Sequence, residues 1–149
     1  GHGTELAARD QALLERLMPS LMEADVQGAW VRDLAEAMGE QPATLRPAMA
    51  RLARGGYIYP IVKDLYITAA TAAKLAAIVR RLAQENVPPP DPGQQGHGQP
   101  VLTVAAFRDA SGLGRKRAVQ VLEFFDRIGL CRRVGDAHIL RTESLLFRA

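Results

Sequence analysis

The chain has 149 residues, 48% apolar and 23% charged, a composition typical of one globular domain or two small ones. Aromatic residues make up only 5%, which argues against a platform that stacks several bases, and no apolar run approaches the ~18 residues of a membrane-spanning helix. The single cysteine, Cys131, excludes an internal disulfide and fits a reducing compartment, so we expect a cytoplasmic protein.

The net charge of +3 is distributed unevenly along the chain. Residues 101–149 contain nine Lys and Arg against five Asp and Glu, whereas the first hundred residues contain ten against eleven. The whole basic excess therefore lies in the last third. This asymmetry is expected if one part of the chain meets a polyanion and the other part does not.

The first half of the chain predicts three helices followed by a β-hairpin. Apolar residues recur at helical spacing over residues 4–24, 31–38 and 42–54. Two β-rich segments, Tyr57–Ile61 and Leu65–Thr68, flank a turn at Lys63-Asp64. Helix, turn, helix and β-ribbon in this order are the plan of a winged helix-turn-helix domain.

The second half repeats the first when it is moved back by 73 positions. The glycines that end the helices coincide, Gly112 with Gly39 and Gly129 with Gly56, and no gap is required. Core positions coincide as well, while surface residues do not, which indicates one fold used twice. We therefore predict a mostly α fold with small β-wings, built as two tandem winged-helix domains over residues 4–68 and 69–149.

Two further segments belong to the predicted second domain. Residues 71–85 carry an apolar stripe and predict its first helix. Residues 87–100, VPPPDPGQQGHGQP, contain five of the nine prolines and three glycines, so they predict a mobile loop. A proline-rich ligand for another domain is the alternative.

The segment Phe107–Arg141 carries the main functional signal. A short helix at 105–110 and a glycine-punctuated turn precede a strong amphipathic helix that ends at Gly129. The first turn of that helix is Arg115-Lys116-Arg117. Cations there are unfavourable by roughly 0.3–1 kcal/mol each, so three in a row suggest a bound anion such as a phosphate. A solvated basic turn is the alternative.

The basic positions differ between the two repeats. The first repeat has Pro42, Ala43 and Thr44 where the second has Arg115, Lys116 and Arg117, and it has Tyr59 and Pro60 where the second has Arg132 and Arg133. Under the gapless alignment His138 and Arg141 lie opposite Leu65 and Thr68. The predicted RNA-binding residues are Arg115, Lys116, Arg117, Arg132, Arg133, His138 and Arg141. We expect the first domain to act as a spacer or a dock.

Strand alternation refines this prediction at the wing. Leu130, Arg132 and Val134 should share one face, with Cys131 and Arg133 on the other, so the two arginines should point to opposite sides. Arg108 could pair with Asp109 or with Asp126, so a structural ion pair is favoured for it.

Signals for catalysis and metal binding are weak. The glycine-rich run at 112–116 lacks the spacing and the Ser or Thr of a P-loop. The three histidines, His2, His97 and His138, show no metal-ligand spacing with each other or with Cys131, whose thiol most simply serves a structural role. We therefore expect a binding module with no catalytic residues, no metal site and no cofactor of its own.

The second repeat also contains an ordered string of distinctive residues. It consists of Phe107-Arg108-Asp109, Gly112-Leu113-Gly114-Arg115-Lys116, Leu122-Glu123, Asp126-Arg127-Ile128-Gly129, Arg132-Arg133, Gly135, His138, Leu140-Arg141 and Leu146-Phe147. This string resembles the C-terminal end of bacterial selenocysteine-specific elongation factors. The first repeat resembles the preceding winged-helix domain of that family more loosely.

The resemblance implies a specific role. It implies the last two of four winged-helix modules that follow an elongation-factor-like GTPase. In that family the final module holds an mRNA hairpin, the selenocysteine insertion element, beside a UGA codon, and the GTPase delivers selenocysteinyl-tRNA to the ribosome. GTP and Mg²⁺ would bind the N-terminal part, which this sequence does not contain. We expect a monomer that meets the ribosome and the tRNA through the full-length factor.

Two other functions remain open from the sequence. A tandem winged-helix DNA regulator would place the helix that begins at Arg115 in a major groove. A protein-interaction scaffold would use the apolar wings. RNA hairpin recognition is favoured physically at an unpaired loop, because the deep major groove of A-form RNA excludes a helix.

Overall fold

A computed structural model describes residues 6–85 and 101–147, so the predicted mobile loop at 87–100 lies outside the described residues. The chain divides into two compact units, Gly1–Ala72 and Ala73–Ala149. In the described part, none of the helices combines the length and the hydropathy needed to cross a membrane. The predicted fold class is confirmed: the chain is mostly helical, with two small antiparallel sheets.

Unit 1 contains three helices and three strands. In chain order they are α1 (Ala8–Ala24), β1 (Ala29–Trp30), α2 (Val31–Met38), α3 (Pro42–Arg54), β2 (Ile58–Val62) and β3 (Leu65–Thr68), with a 3-10 turn at Asp25–Gln27. The helix α4 (Ala69–Glu85) follows β3 directly and leads into unit 2, which continues with β4 (Val101–Thr103), α5 (Val104–Ser111), α6 (Arg115–Ile128), β5 (Cys131–Val134) and β6 (Ala137–Leu140). Each unit therefore has a helix-turn-helix followed by a β-hairpin wing.

Each wing is completed by a short strand that precedes the helix-turn-helix. The strand order is β1-β3-β2 in unit 1 and β4-β6-β5 in unit 2, and all pairings are antiparallel. The sequence did not predict β1 or β4, because two or three residues are too few to show strand alternation. These strands bind the helix-turn-helix to the wing.

Three helices begin at positions other than those predicted, and α5, which begins at Val104 instead of residue 105, differs least. Leu6 and Ala7 precede α1, which begins at Ala8. The helix predicted from Thr71 begins at Ala69. Its start is fixed by the buried hydroxyl of Thr68, which accepts a hydrogen bond from the Thr71 N–H at 3.0 Å and so satisfies an amide of the first turn.

A β-bulge makes the gapless repeat alignment wrong beyond the first wing strand. In unit 1 Pro60 pairs with Tyr66 and Val62 pairs with Leu65, so Ile61 is an extra residue. In unit 2 the pairing runs without interruption. The offset between the units therefore falls from 73 to 72 after Ile61, and His138 corresponds to Tyr66 rather than to Leu65.

Each unit has its own buried apolar core. In unit 1 it consists of Leu17, Leu21, Val31, Leu34, Ala35, Leu45, Met49, Leu52, Ile58 and Tyr66. The buried residues of unit 2 outside α4 include Leu102, Phe107, Leu113, Ala118, Val121, Leu122, Phe124, Phe125, Leu130 and Cys131. The predicted helix stops are confirmed, since Gly39 and Gly112 adopt φ values of 69° and 76°, a left-handed conformation that other residues rarely take.

Arg51, one of the few cations of α3, forms an ion pair within unit 1. Its Nε and Nη2 each donate to the carboxylate of the buried Asp10 at 3.0 Å. The Arg51 hydrogen bonds lower the pKa of Asp10. The pair therefore stabilises the fold at pH values above the ordinary pKa of an aspartate, and this contribution is lost as the pH falls through the lowered value.

Candidate nucleic-acid interface

The first turn of α6 presents cations at a helix end that lacks a side-chain cap. Gly114 occupies the cap position and offers no side chain, so the first amides of the helix have no side-chain acceptor. Arg115 and Lys116 are exposed. Backbone N–H groups and cations that point the same way form an anion-binding site.

Arg117 behaves differently from its two neighbours. It is half-buried, and its Nη1 donates to Gln120 Oε1 one turn further along the same helix. This burial lowers the pKa of the Arg117 guanidinium. Arg117 therefore lies along α6, whereas Arg115 and Lys116 project into solvent.

A groove of about 480 Å³ in unit 2 brings Arg115 together with Arg133. We call it the unit-2 groove, and it is lined by Thr103, Val104, Ala105, Arg115, Val119, Glu123, Arg133, Asp136 and His138. The start of α5, residues 115–123 of α6 and the wing each contribute one wall. Thr103 fixes the start of α5, because its hydroxyl accepts a hydrogen bond from the Ala106 N–H at 3.1 Å.

The strand register explains which wing arginine reaches this groove. Arg133 pairs with His138 across β5 and β6, so the two side chains share a face of the sheet. Arg132 pairs with Ile139 and lies on the opposite face. The predicted divergence of the two arginines is confirmed, and Arg133 is the one that lines the unit-2 groove.

His138 does not lie on the surface where the sequence placed it. Its side chain is only 5% exposed, and Nδ1 lies 3.0 Å from the Asp126 carboxylate. The gapless alignment set His138 opposite Leu65, and the structure sets it opposite Tyr66; both unit-1 positions are buried, so either alignment favoured burial of His138. His138 therefore borders the groove and links β6 to α6 through Asp126, while its predicted RNA contact stays a prediction.

Arg141 lies near the other end of α6. Its Nη1 approaches Gly129, where α6 ends, and its Nε donates to Glu143 at 2.9 Å. The 14 residues of α6 separate its two ends by about 20 Å at 1.5 Å per residue. A ligand that contacts Arg115 and Arg141 together must span that distance.

Arg108 forms an ion pair with Asp109, one of the two carboxylates expected from the sequence, and its Nε lies 3.3 Å from Asp109 Oδ1.

Cys131 has no reactive character in this environment. The residue is buried at the start of β5, and burial raises the pKa of its thiol to about 12. The thiol therefore stays protonated at neutral pH, and its predicted structural role is confirmed. Among residues 6–85 and 101–147 the side chains form no cluster able to hold a metal ion.

Sequence reasoning missed much of the lining of this groove. Val104 and Ala105 carry no charge, and Glu123 and Asp136 read as ordinary surface acids in the sequence. The β4 strand that brings the start of α5 beside the wing was too short to predict. The one available signal was Thr103, a good cap residue directly before a helix.

Comparison with known families and structures agrees with this architecture. Residues 7–67 match the family of the winged-helix domain of the selenocysteine-specific elongation factor, and residues 95–140 match the winged helix of elongation factor SelB. A solved structure, the mRNA-binding domain of SelB from E. coli in complex with SECIS RNA, has a TM-score of 0.72 and 35% sequence identity. The likeness covers 91% of this chain and 99% of that one. This chain belongs to the SelB family.

The chain aligns with about a fifth of the length of two selenocysteine-specific elongation factors. The chain is 36% identical over 146 residues to the selenocysteine-specific elongation factor of Escherichia coli and 30% identical over 144 residues to that of Haemophilus influenzae. These alignments cover 98% and 97% of this chain but 21% of each relative. The chain thus corresponds to SelB winged-helix domains and spans about a fifth of the length of the relatives.

Proposed function

We propose that this chain binds an mRNA hairpin, the selenocysteine insertion element, and that unit 2 carries the hairpin site. One observation carries this proposal: the chain is 35% identical to a SelB mRNA-binding domain solved with SECIS RNA, and the match covers 99% of that domain. The unit-2 groove supports it physically, because Arg115 and Arg133 line one groove with the exposed Lys116 close by in the first turn of α6.

The geometry suggests how such a hairpin is held. Arg115, Lys116 and the amides at the start of α6 would bind phosphates of the loop and upper stem. Arg133 would contact the backbone from the wing. Sequence would be read at unpaired loop bases that enter the groove, because paired bases of A-form RNA do not present their edges to a helix.

In a complete factor this binding would tether a GTPase beside a UGA codon for selenocysteine incorporation. Such a factor would carry GTP and Mg²⁺ in its GTPase part and would meet selenocysteinyl-tRNA and the ribosome in the cytoplasm. The chain itself would act as a binding module and supply no catalytic group. We propose that it does so as a monomer.

A competition experiment tests the proposal. The chain is incubated with a labelled RNA hairpin, taken from beside an in-frame UGA codon of the source organism, and challenged with unlabelled hairpin or with duplex DNA of the same sequence, at two salt concentrations. We expect only the hairpin to compete and the affinity to fall at the higher salt. Preferential competition by duplex DNA would favour a DNA regulator, and binding to neither would favour a protein-interaction scaffold; either result contradicts the proposal.

A further inference from the structure

Unit 1 contains a basic groove whose cations lie at positions other than those of Arg115 and Arg133 in unit 2. We call it the unit-1 groove; it has a volume of about 460 Å³ and is lined by Trp30, Arg32, Arg46, Lys63 and Asp64. Three cations thus face it together with one carboxylate and one tryptophan. Unit 1 lacks the cations found at the start of α6 in unit 2, yet it is not without a basic surface.

The two grooves occupy the same place in the two copies of the fold. Before the bulge at Ile61 the offset is 73, and after it the offset is 72. Four unit-1 positions therefore have counterparts that line the unit-2 groove: Trp30 with Thr103, Arg32 with Ala105, Arg46 with Val119, and Asp64 with Asp136. Unit 1 has cations where unit 2 has Ala105 and Val119, and it has Pro42 and Pro60 where unit 2 has Arg115 and Arg133. The groove is shared, but its positive charge comes from different positions.

The side chains of the unit-1 groove are arranged by the local fold. Arg46 Nε donates to Asp64 Oδ2 at 3.0 Å, which fixes the guanidinium against the wing turn. The same turn is bound to the start of α2, because the Val31 N–H donates to the Asp64 carbonyl at 2.8 Å. Arg32 and Lys63 are exposed, and Trp30, which pairs with Leu65 at the end of β1, is half-buried.

This combination fits one class of ligand. Three cations against one groove carboxylate attract a polyanion. A single tryptophan beside them offers a face on which one unpaired base stacks, and base–aromatic stacking contributes about 1–3 kcal/mol per base in single-strand binding. Duplex nucleic acid keeps its bases stacked on each other, so the tryptophan favours a single strand.

We propose that the unit-1 groove binds a single-stranded RNA segment, with one base on Trp30 and phosphates on Arg32, Arg46 and Lys63. Under this proposal unit 1 contacts RNA directly and does not act only as a spacer. It rests on the proposed function only in taking RNA as the ligand of the chain. Two sources share this chemistry, the mRNA that flanks the hairpin and any other single-stranded RNA near the bound factor.

Trp30 provides a direct probe, because it is the only tryptophan of the chain. Its emission is followed during titration with an unstructured RNA of about eight nucleotides, within the usual site size of single-strand binders. We expect a saturable change in emission. The double variant Arg32→Ala/Lys63→Ala keeps both Trp30 and the Arg46–Asp64 pair, and its affinity should be at least about tenfold lower at the same salt. The matched variant Arg54→Ala/Arg81→Ala removes the same charge from exposed positions outside the groove and should bind like the original chain.

Further measurements distinguish the two sources of single-stranded RNA, and they distinguish the unit-1 groove from the hairpin site of unit 2. A stronger response to a hairpin with a single-stranded extension than to hairpin and strand added separately would support the flanking mRNA as the source. An equal response would support another RNA. Arg115→Ala/Arg133→Ala should bind the hairpin about 10²-fold more weakly but keep the Trp30 response to the single strand, so failure at one site is distinguishable from failure at the other. An unchanged Trp30 emission at saturating RNA would overturn the inference. The same emission change with inorganic polyphosphate, or equal affinities of the two double variants, would also overturn it.

Discussion

Replacing Arg115 and Arg133 together by alanine should weaken binding of the cognate hairpin by about 10²-fold. Each arginine would lose a charge-assisted contact to phosphate, and a loss near 1.4 kcal/mol per contact corresponds to about tenfold in affinity. The logarithm of the binding constant should also depend less steeply on the logarithm of salt concentration, by about 0.7–0.9 for each lost phosphate contact. Fluorescence anisotropy of a labelled hairpin at several salt concentrations measures both quantities.

The control for this experiment must lie outside every proposed site and outside the core. Arg51 is unsuitable, although it is on the helix of unit 1 equivalent to α6, because its guanidinium binds the buried Asp10. Arg54 and Arg81 are exposed, and their joint replacement removes the same charge. If this control lost as much affinity as Arg115→Ala/Arg133→Ala, the effect would come from net charge, and the unit-2 groove would not be the hairpin site.

Phe125→Ala should destabilise unit 2 by about 3–5 kcal/mol, the usual cost of truncating a buried phenylalanine. Phe125 has no exposed surface, its ring centroid lies 5.3 Å from that of Phe124, and Phe147 meets it edge-on at 6.2 Å. The buried Cys131 reports on the opening of unit 2, because its thiol reacts with a labelling reagent only when exposed. The labelling rate should rise by about 10²–10⁴-fold, and the Trp30 emission should change little.

The corresponding change in unit 1 provides the matched control. Leu52 is the counterpart of Phe125 in the repeat and is equally buried. Leu52→Ala should lower the midpoint of the thermal transition that Trp30 emission reports. The labelling rate of Cys131 should stay nearly unchanged. Equal responses of both probes to both substitutions would contradict the assignment of a separate core to each unit.

The strongly periodic helices were the part of the fold that the sequence determined well. The glycines at 39, 112 and 129 and the apolar stripes between them placed α2, α3, α5 and α6 to within a residue or so. Helix periodicity and helix stops are local, so they can be recognised without knowledge of tertiary contacts. The repeat itself followed from the coincidence of these local signals.

The errors arose where the outcome depended on pairing between distant segments. The bulge at Ile61 changes which residues of the two wings correspond. Pro60 beside it is a residue that strands admit at edges or at bulges, and the local sequence does not decide between the two. The burial of His138 likewise depends on its pairing with Arg133 across the wing and on Asp126 of α6, 12 residues away in the sequence. The short strand β1 places Trp30 beside the wing turn, so the unit-1 groove could not be assembled from the sequence.

The directions of the basic side chains near α6 could be assigned only from the structure. Arg115, Lys116 and Arg117 are equivalent in the sequence, yet Arg117 lies along the helix against Gln120. Arg141 is adjacent in space to Gly129, not to the start of α6. Charge composition located the basic unit correctly, whereas the direction of each side chain depends on helix phase, strand register and nearby acceptors.

The most direct test of the central claim is an NMR titration of the 16.2 kDa chain with a cognate hairpin that lacks single-stranded extensions. The amide resonances are followed residue by residue as the hairpin is added. The account predicts that the largest changes fall around the unit-2 groove, at residues 103–105, 115–119 and 133–138. Changes concentrated in α1 or elsewhere in unit 1 would contradict the assignment of the hairpin site.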